Sequence, residues 1–144
     1  MGRNTLRLEL TGFKEMLTKL DELGGNLVPV IENALTQSGE TIGDDTVDAL
    51  RDSYLPAGGK YSTGDTEASV IRNPRVEWDG TTASIGVGFD YGKPGAGGYL
   101  ITGTPKMEPD YYLQDIYERK KYMRNIQNDM MEIVNDAISD ILEG

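Results

Sequence analysis

The sequence contains no cysteine and no histidine, and these absences exclude much of the common chemistry of active sites. Without cysteine, the chain has no disulfide, no thiolate metal site and no cysteine nucleophile. Without histidine, it lacks the commonest general base, the commonest metal ligand and the base of a serine–histidine triad. We therefore expect that this protein is not an enzyme and that it holds no catalytic metal.

Cofactor motifs are also missing, although 18 glycines invite a search for them. Gly92-Lys93 is followed by Pro94 where a phosphate-binding loop requires serine or threonine. Gly86-x-Gly88 lacks the third glycine of the dinucleotide fingerprint. We expect no cofactor, and a hydrolase that uses paired carboxylates remains only as an alternative among 24 acidic residues.

Basic residues are few, since 14 Lys and Arg oppose 24 Asp and Glu and give a formal charge of −10. This balance leaves no overall basic footprint, so we expect no specific nucleic-acid binding. No apolar run approaches the ~20 residues that span a bilayer, and no signal peptide is visible. We expect one domain over residues 1–144, made in a cytoplasm, with no membrane partner.

Hydrophobic periodicity predicts the elements of the first half of the chain. Alternating leucines predict a strand at Leu6–Leu10, and a five-residue apolar face predicts a helix from Phe13 to Leu23. A longer helix is predicted from Val28 to Tyr54, with an inner stripe at Ile31, Leu35, Ile42, Thr46, Ala49 and Leu50. Gly39 and Gly43 lie inside this helix, either as a tolerated weakness or as a close contact with another backbone.

The second half is predicted to contain strands, glycine loops and one long helix. After a loop at 55–66, strands are expected from Ala68 to Trp78 and from Ala83 to Tyr91, joined by a hairpin at Asp79-Gly80. The glycine-rich segment from Gly92 to Gly98 predicts a mobile loop, and Tyr99–Ile101 predicts a third short strand. The fold class is therefore α+β, with a small antiparallel sheet, a hairpin plus short strands, packed against an N-terminal helix pair and a long C-terminal helix.

The predicted C-terminal helix, Tyr111 to Leu142, carries two cations inside its apolar arc. Arg119 and Lys120 fit a core face badly, so either the helix bends there or that turn faces a partner or water. Two further groups remain open to more than one interpretation. An acidic stripe is either a solvated face or a surface along a DNA channel, and a tyrosine cluster beside basic residues is packing, a subunit interface or a single-strand site. The stripe is Asp129, Glu132, Asp136, Asp140 and Glu143, and the cluster is Tyr111, Tyr112, Tyr117 and Tyr122.

Two segments resemble one known family. Leu55-Pro56 with Ser62-Thr63-Gly64-Asp65-Thr66-Glu67-Ala68-Ser69 resembles a Pro…Thr-Gly-x-Leu-x-x-Ser segment of the bacteriophage neck and tail-completion proteins, the "gene product ten" tail components. The stretch from Tyr99 to Leu113 resembles that family's Tyr…Glu-x-Gly-Thr…Pro-Phe-Leu segment. Departures are Thr66 in place of leucine, Ile101-Thr102 in place of an acidic-aromatic pair, Tyr111-Tyr112-Leu113 in place of Pro-Phe-Leu, and an insertion at 57–61.

The resemblance implies a structural virion protein of a long-tailed phage or prophage, which completes the tail or joins the head connector to the tail. It implies a homo-oligomeric ring, hexameric by family resemblance, that contacts the phage connector and the tail-terminator or tail-tube proteins. Its location would be the virion neck or tail after assembly in the host cytoplasm. The alternatives are a tail terminator that caps the tail tube and a soluble binding module with no role in a virion.

For such a ring, we expect subunit contacts at the glycine loops and at the turn that carries the misplaced cations. Mobile loops that order when a neighbour docks are common in assembly, and tyrosine and arginine are enriched at interfaces. The predicted subunit-interface residues are Gly95, Gly97, Gly103, Thr104, Arg119, Lys120, Tyr122 and Arg124.

Overall fold

A computed structural model describes residues 4–10, 28–51, 65–80, 82–93, 97–103, 105 and 108–143. Its elements run in the order β1 Leu6–Leu10, α1 Val28–Arg51, α2 Asp65–Ala68, β2 Glu77–Asp79, β3 Thr82–Val87, α3 Gly97–Thr102, α4 Tyr111–Tyr117 and α5 Lys120–Glu143. The predicted α+β class, with a small antiparallel sheet and a long C-terminal helix, is confirmed. The predicted first helix, Phe13 to Leu23, lies outside the described residues.

The sheet has three antiparallel strands in the order β1-β3-β2. Leu8 of β1 lies opposite Ile85 of β3, and Trp78 of β2 lies opposite Ala83. Leu8 and Leu10 are buried whereas Glu9 is exposed, which is the alternation that predicted β1. The strand prediction at Leu6–Leu10 is confirmed.

The predicted hairpin is present, but the strands that flank it are shorter than the sequence indicated. Asp79 pairs with Thr82, and Gly80 has a φ of 62°, a left-handed conformation that glycine adopts without steric cost. β3 ends at Val87 because Gly88 has a φ of 95°, and Phe89 then forms only an isolated bridge with Val70. The alternation that continues to Tyr91 therefore does not extend the strand.

Helix α1 forms the middle layer of the molecule, as its apolar stripe indicated. It contacts β1 and β3 on one side and α4 and α5 on another. Ile31, Leu35 and Ile42 are fully buried, and Thr46 is also inaccessible to solvent. The four side chains lie within one face of a helix of 3.6 residues per turn, so they bury against both layers.

Two glycines of α1 bring the segment 71–74 against the helix. A Cβ atom at Gly39 would lie 2.5 Å from Pro74 Cγ, and one at Gly43 would lie 2.8 Å from the carbonyl oxygen of Ile71. The predicted close contact with another backbone is confirmed for Gly43, whereas Gly39 packs closely against the side chains of Pro74 and Ile85. Arg72 forms an ion pair with Asp44 beside this contact.

The predicted strand from Ala68 to Trp78 is wrong over most of its length. Asp65–Ala68 is the short helix α2, and strand structure is confined to Glu77–Asp79. The physical reason is the contact of segment 71–74 with the glycines of α1, which draws this backbone onto the helix instead of along β3. Within this segment, Val70 forms an isolated antiparallel β-bridge with Phe89, two residues after the end of β3.

The third strand predicted at Tyr99–Ile101 is also wrong, because these residues belong to α3. The backbone N–H of Gly103 donates to the carbonyl oxygen of Tyr99 at 2.7 Å and closes the helix. Gly103 has a φ of 75°, which is typical of a glycine that terminates a helix. Within the part of the chain that the structure describes, no helix has the length and apolar character to cross a membrane.

Candidate interaction surface

The C-terminal helical region is interrupted at Glu118 and Arg119, directly beside the turn that the sequence marked as misplaced. The prediction of one helix from Tyr111 to Leu142 is wrong, because α4 ends at Tyr117 and α5 begins at Lys120. Glu118 caps α4 with its backbone N–H donating to Gln114 O at 2.8 Å, and the N–H of Arg119 also donates to Gln114 O. The bend that the two cations indicated is therefore a break between two helices.

This break places Arg119 and Lys120 at the surface of the single chain. The Arg119 side chain is 68% exposed and forms an ion pair with Asp115 at 2.8 Å, one turn earlier in sequence. Lys120 is exposed as well. Neither cation is buried, so their position does not by itself require acids from a neighbouring subunit. Their role at a subunit contact stays a prediction.

Tyr117 and Tyr122 hold α4 and α5 on α1 by hydrogen bonds. The hydroxyl of Tyr117 lies 2.5 Å from Thr46 Oγ1, and the hydroxyl of Tyr122 donates to Asp45 Oδ2 at 2.5 Å. Burial raises the pKa of both phenols, and the Asp45 carboxylate raises the pKa of Tyr122 further. Tyr122, predicted to lie at a subunit contact, thus has an anchoring role inside the chain.

The corner between α3 and α4 is fixed by a buried carboxylate that the sequence analysis missed. Asp110 is inaccessible to solvent, and its backbone N–H donates to Leu100 O at 2.6 Å. Its Oδ1 accepts from the N–H groups of Tyr112 and Leu113 and caps α4. An aspartate directly before an apolar helical run is a recognisable N-cap signal, so this role was detectable from the sequence.

Four tyrosines remain exposed around that corner. Tyr91, Tyr99, Tyr111 and Tyr112 are 43%, 61%, 47% and 48% exposed, respectively, and we call this set the tyrosine surface. The Tyr91 ring packs against α3 at Gly98, since a Cβ atom at Gly98 would lie 3.4 Å from the Tyr91 hydroxyl. The predicted tyrosine cluster therefore divides, with Tyr117 and Tyr122 packed inside while Tyr111 and Tyr112 face outward.

The glycines predicted at subunit contacts differ in burial and in the element to which they belong. Gly97 is buried with its α-carbon against Phe89, where an added Cβ would lie 2.2 Å from the ring. Gly103 is half-buried at the end of α3. Gly95 and Thr104 lie outside the described residues, and of the loop predicted at 92–98, Gly97 and Gly98 belong instead to α3. Gly92 and Lys93 form a turn on Asp90, whose Oδ1 accepts from the Gly92 N–H at 2.9 Å.

Helix α5 presents its charges to solvent. Lys120, Lys121 and Arg124 are exposed near its beginning, and Arg124 thus lies at the surface where the contact was predicted. The five acids of the predicted stripe are exposed along the rest of the helix. The buried face between them, Ile126, Met130 and Val134, packs towards α1.

A groove of about 270 Å³ opens between β1 and the α4–α5 break. Its wall combines apolar side chains, among them Leu6, Leu8 and Met123, with the charged side chains of Arg7, Glu9, Glu118, Arg119 and Lys120. Arg7, at its edge, is engaged with Glu77 at 2.9 Å and Ser84 at 2.6 Å. Among the residues with described positions, no group of three acidic, cysteine or histidine side chains is placed to hold a metal ion.

Comparison with known proteins gives no relative on which to base an assignment. No family model, no curated protein and no solved structure matches this chain. The arguments for function therefore depend on the residues of this chain and on the surfaces that they form.

Proposed function

We propose that this chain is a structural subunit of a long-tailed phage or prophage, which completes the tail or joins the head connector to the tail as part of a ring. The proposal starts from the two segments that resemble neck and tail-completion proteins. It holds that the chain acts by binding other subunits and not by chemical catalysis. A homo-oligomeric ring, hexameric by family resemblance, and contacts with connector and tail proteins belong to the same proposal.

One observation carries the proposal, namely the α3–α4 corner formed by the second of these segments. Leu100, Asp110 and Leu113 are buried inside the corner, and they fix the angle between the two helices. Tyr99, Tyr111 and Tyr112 of the same segment point to solvent. A rigid element that is buried on one side and shows aromatic side chains on the other is suited to docking, because tyrosine contributes large contact area at low entropic cost.

The acidic charge of the chain agrees with a subunit that lies beside DNA without retaining it. A net charge of −10 repels a polyanion at long range. This supports assembly around a DNA passage over binding to nucleic acid.

The proposal is tested by removing the gene from the phage or prophage that carries it and counting particles by electron microscopy. We expect heads and tails that are not joined, or particles with incomplete tails, and rescue by the wild-type gene. Mass spectrometry of purified particles should detect the chain as a virion component. Normal numbers of tailed, infectious particles without the gene would contradict the proposal.

The tyrosine surface allows a sharper second test in the same rescue assay. The double variant Tyr99→Ser and Tyr111→Ser should fold, because both side chains are largely exposed, and should fail to restore tailed particles. Val28→Ser, which removes an exposed apolar side chain from the start of α1, is the matched control and should rescue fully. Full rescue by the tyrosine variant would exclude this surface as an essential contact.

A further inference from the structure

Helix α5 separates its charges by sign along its length. Residues 119–128 contain four cations and no acid, whereas residues 129–143 contain five acids and no cation. Lys120, Lys121 and Arg124 form the basic half of α5, and Asp129, Glu132, Asp136, Asp140 and Glu143 form its acidic half. All eight side chains are exposed. A solvated helix face ordinarily mixes positive and negative side chains, so this separation needs a physical explanation.

The stability of the isolated helix does not explain the separation of charges along α5. The N-terminus of a helix carries a partial positive charge and its C-terminus a partial negative charge, so cations at the start and acids at the end of α5 are both unfavourable. Pairs that stabilise a helix lie three or four residues apart, but Arg124 and Asp129 are separated by five. The arrangement therefore weakens the isolated helix at both ends.

Contacts among the described residues do not explain the separation either. The ion pairs among the described residues join Arg7 to Glu77, Arg51 to Glu67, Arg72 to Asp44 and Arg119 to Asp115. None of them uses a charge from the basic or acidic half of α5. In the part of the chain that the structure describes, these eight charges thus face solvent without an opposing ion.

We propose that the outer face of α5 binds α5 of a second copy of this chain, with the basic half of one helix against the acidic half of the other. The charges of the two halves are complementary, and a basic-to-acidic contact can repeat from subunit to subunit around a ring. This inference rests on the proposed function, because it assigns the contact between neighbouring ring subunits.

The dimensions of α5 agree with such a contact. Its 24 residues span about 36 Å at a rise of about 1.5 Å per residue, so residues 120–128 cover about two and a half turns and the acidic half about four. Tyr122 and the buried face fix α5 to α1, which leaves the charged face pre-ordered before a neighbour arrives. Because the pairs are exposed, the association weakens as ionic strength rises.

Charge reversal in two matched variants tests the proposal on the full-length chain by sedimentation velocity at low salt. One variant carries Lys120→Glu, Lys121→Glu and Arg124→Glu, and the other carries Asp129→Lys, Glu132→Lys and Asp136→Lys. We expect the wild type to associate, and each variant alone to associate at least about tenfold more weakly. An equimolar mixture of the two variants should recover association, since every contact again joins opposite charges.

Two further chains serve as controls. A variant with all six reversals should associate with itself but not with the wild type, because the signs of charge at 120–124 and at 129–136 are then exchanged. Arg75→Glu with Lys93→Glu, two exposed changes before β2 and after β3, should leave association unchanged. If a reversed variant does not fold, glutamine at 120, 121 and 124 removes the basic charge with less disturbance and should weaken association in the same direction.

The outcomes separate this inference from the proposed function. A wild type that remains monomeric at low salt, reversed variants that associate normally, or a mixture that stays monomeric would each overturn the α5 contact. If the chain is nevertheless found in virions and its loss removes tails, the proposed function stands and only the contact is wrong. If α5 pairs as described but particles are complete without the chain, the proposed function fails alone.

Discussion

The hydroxyl of Tyr122 donates a 2.5 Å hydrogen bond to Asp45 Oδ2, and this bond joins the first turn of α5 to α1. The hydroxyl of Tyr117 contacts Thr46 Oγ1, on the residue next to Asp45, at the same distance. The two bonds lie on either side of the break between α4 and α5. They therefore set how both helices rest on α1 and which face of α5 is left outward.

Tyr122→Phe should lower the stability of the folded chain. The change removes the donor to a half-buried carboxylate, and such a loss costs about 1–2 kcal/mol. The melting temperature should fall by roughly 3–8 °C. Tyr99→Phe is the control, because the Tyr99 side chain is 61% exposed, and it should leave the melting temperature unchanged. Equal melting temperatures for Tyr122→Phe and the wild type would show that the bond contributes nothing to stability.

Stability should fall at alkaline pH through Tyr117 and Tyr122. Burial raises the pKa of both phenols, so the folded chain holds these protons more tightly than the unfolded chain. The resulting stabilisation is complete below the unfolded pKa of about 10 and is lost as pH rises above it. Urea unfolding from about pH 8 to about pH 11 should show a smaller decline for a variant with phenylalanine at both positions. A decline as steep as that of the wild type would contradict this assignment.

Gly43→Ala should destabilise the protein, although alanine usually favours a helix by about 1 kcal/mol over glycine. The new methyl group would meet the Ile71 carbonyl oxygen at 2.8 Å, and overpacking of this kind costs about 1–3 kcal/mol. Gly98→Ala in α3 is the comparison, because its Cβ would make only ordinary contact with Tyr91. Chemical denaturation measures both, and a gain in stability for Gly43→Ala would show that segment 71–74 moves away easily.

Two substitutions of Asp110 should distinguish the contributions of its two carboxylate oxygens to stability. Asp110→Ala removes the cap of α4 and should cost about 0.5–2 kcal/mol. Asp110→Ser keeps one acceptor for the Tyr112 and Leu113 N–H groups and removes Oδ2, which is buried and has no hydrogen-bond partner among the described residues. The serine variant should therefore unfold close to the wild-type midpoint in urea. Equal loss in both variants would mean that Oδ2 is needed.

The candidate surface was only partly predictable from the sequence. Arg124 and Lys120 are exposed as a contact residue must be, whereas Tyr122 and Gly97 prove to be packed inside the chain. Residue type alone cannot separate these cases, because a tyrosine is equally suited to an interface and to a half-buried hydrogen bond. The charge separation along α5 is visible in the sequence, but its exposure required the helix to be placed on α1.

Local periodicity by itself determined β1, the buried stripe of α1, the hairpin at Asp79-Gly80 and the α+β class. Each of these depends on side chains within a few residues of one another, where the period of a strand or helix decides which face is buried. Tertiary structure alone decided that 71–74 leaves the sheet, that Tyr99–Ile101 is helical, and that the last helix breaks at Glu118 and Arg119. Two sets of these contacts join residues far apart in sequence, Ile71 with Gly43, and Tyr117 and Tyr122 with Thr46 and Asp45, whereas Gly97 meets Phe89 across a short loop. Packing between distant segments overrides local preference at such points, because the free energy of burial and of a buried hydrogen bond exceeds the small differences in propensity.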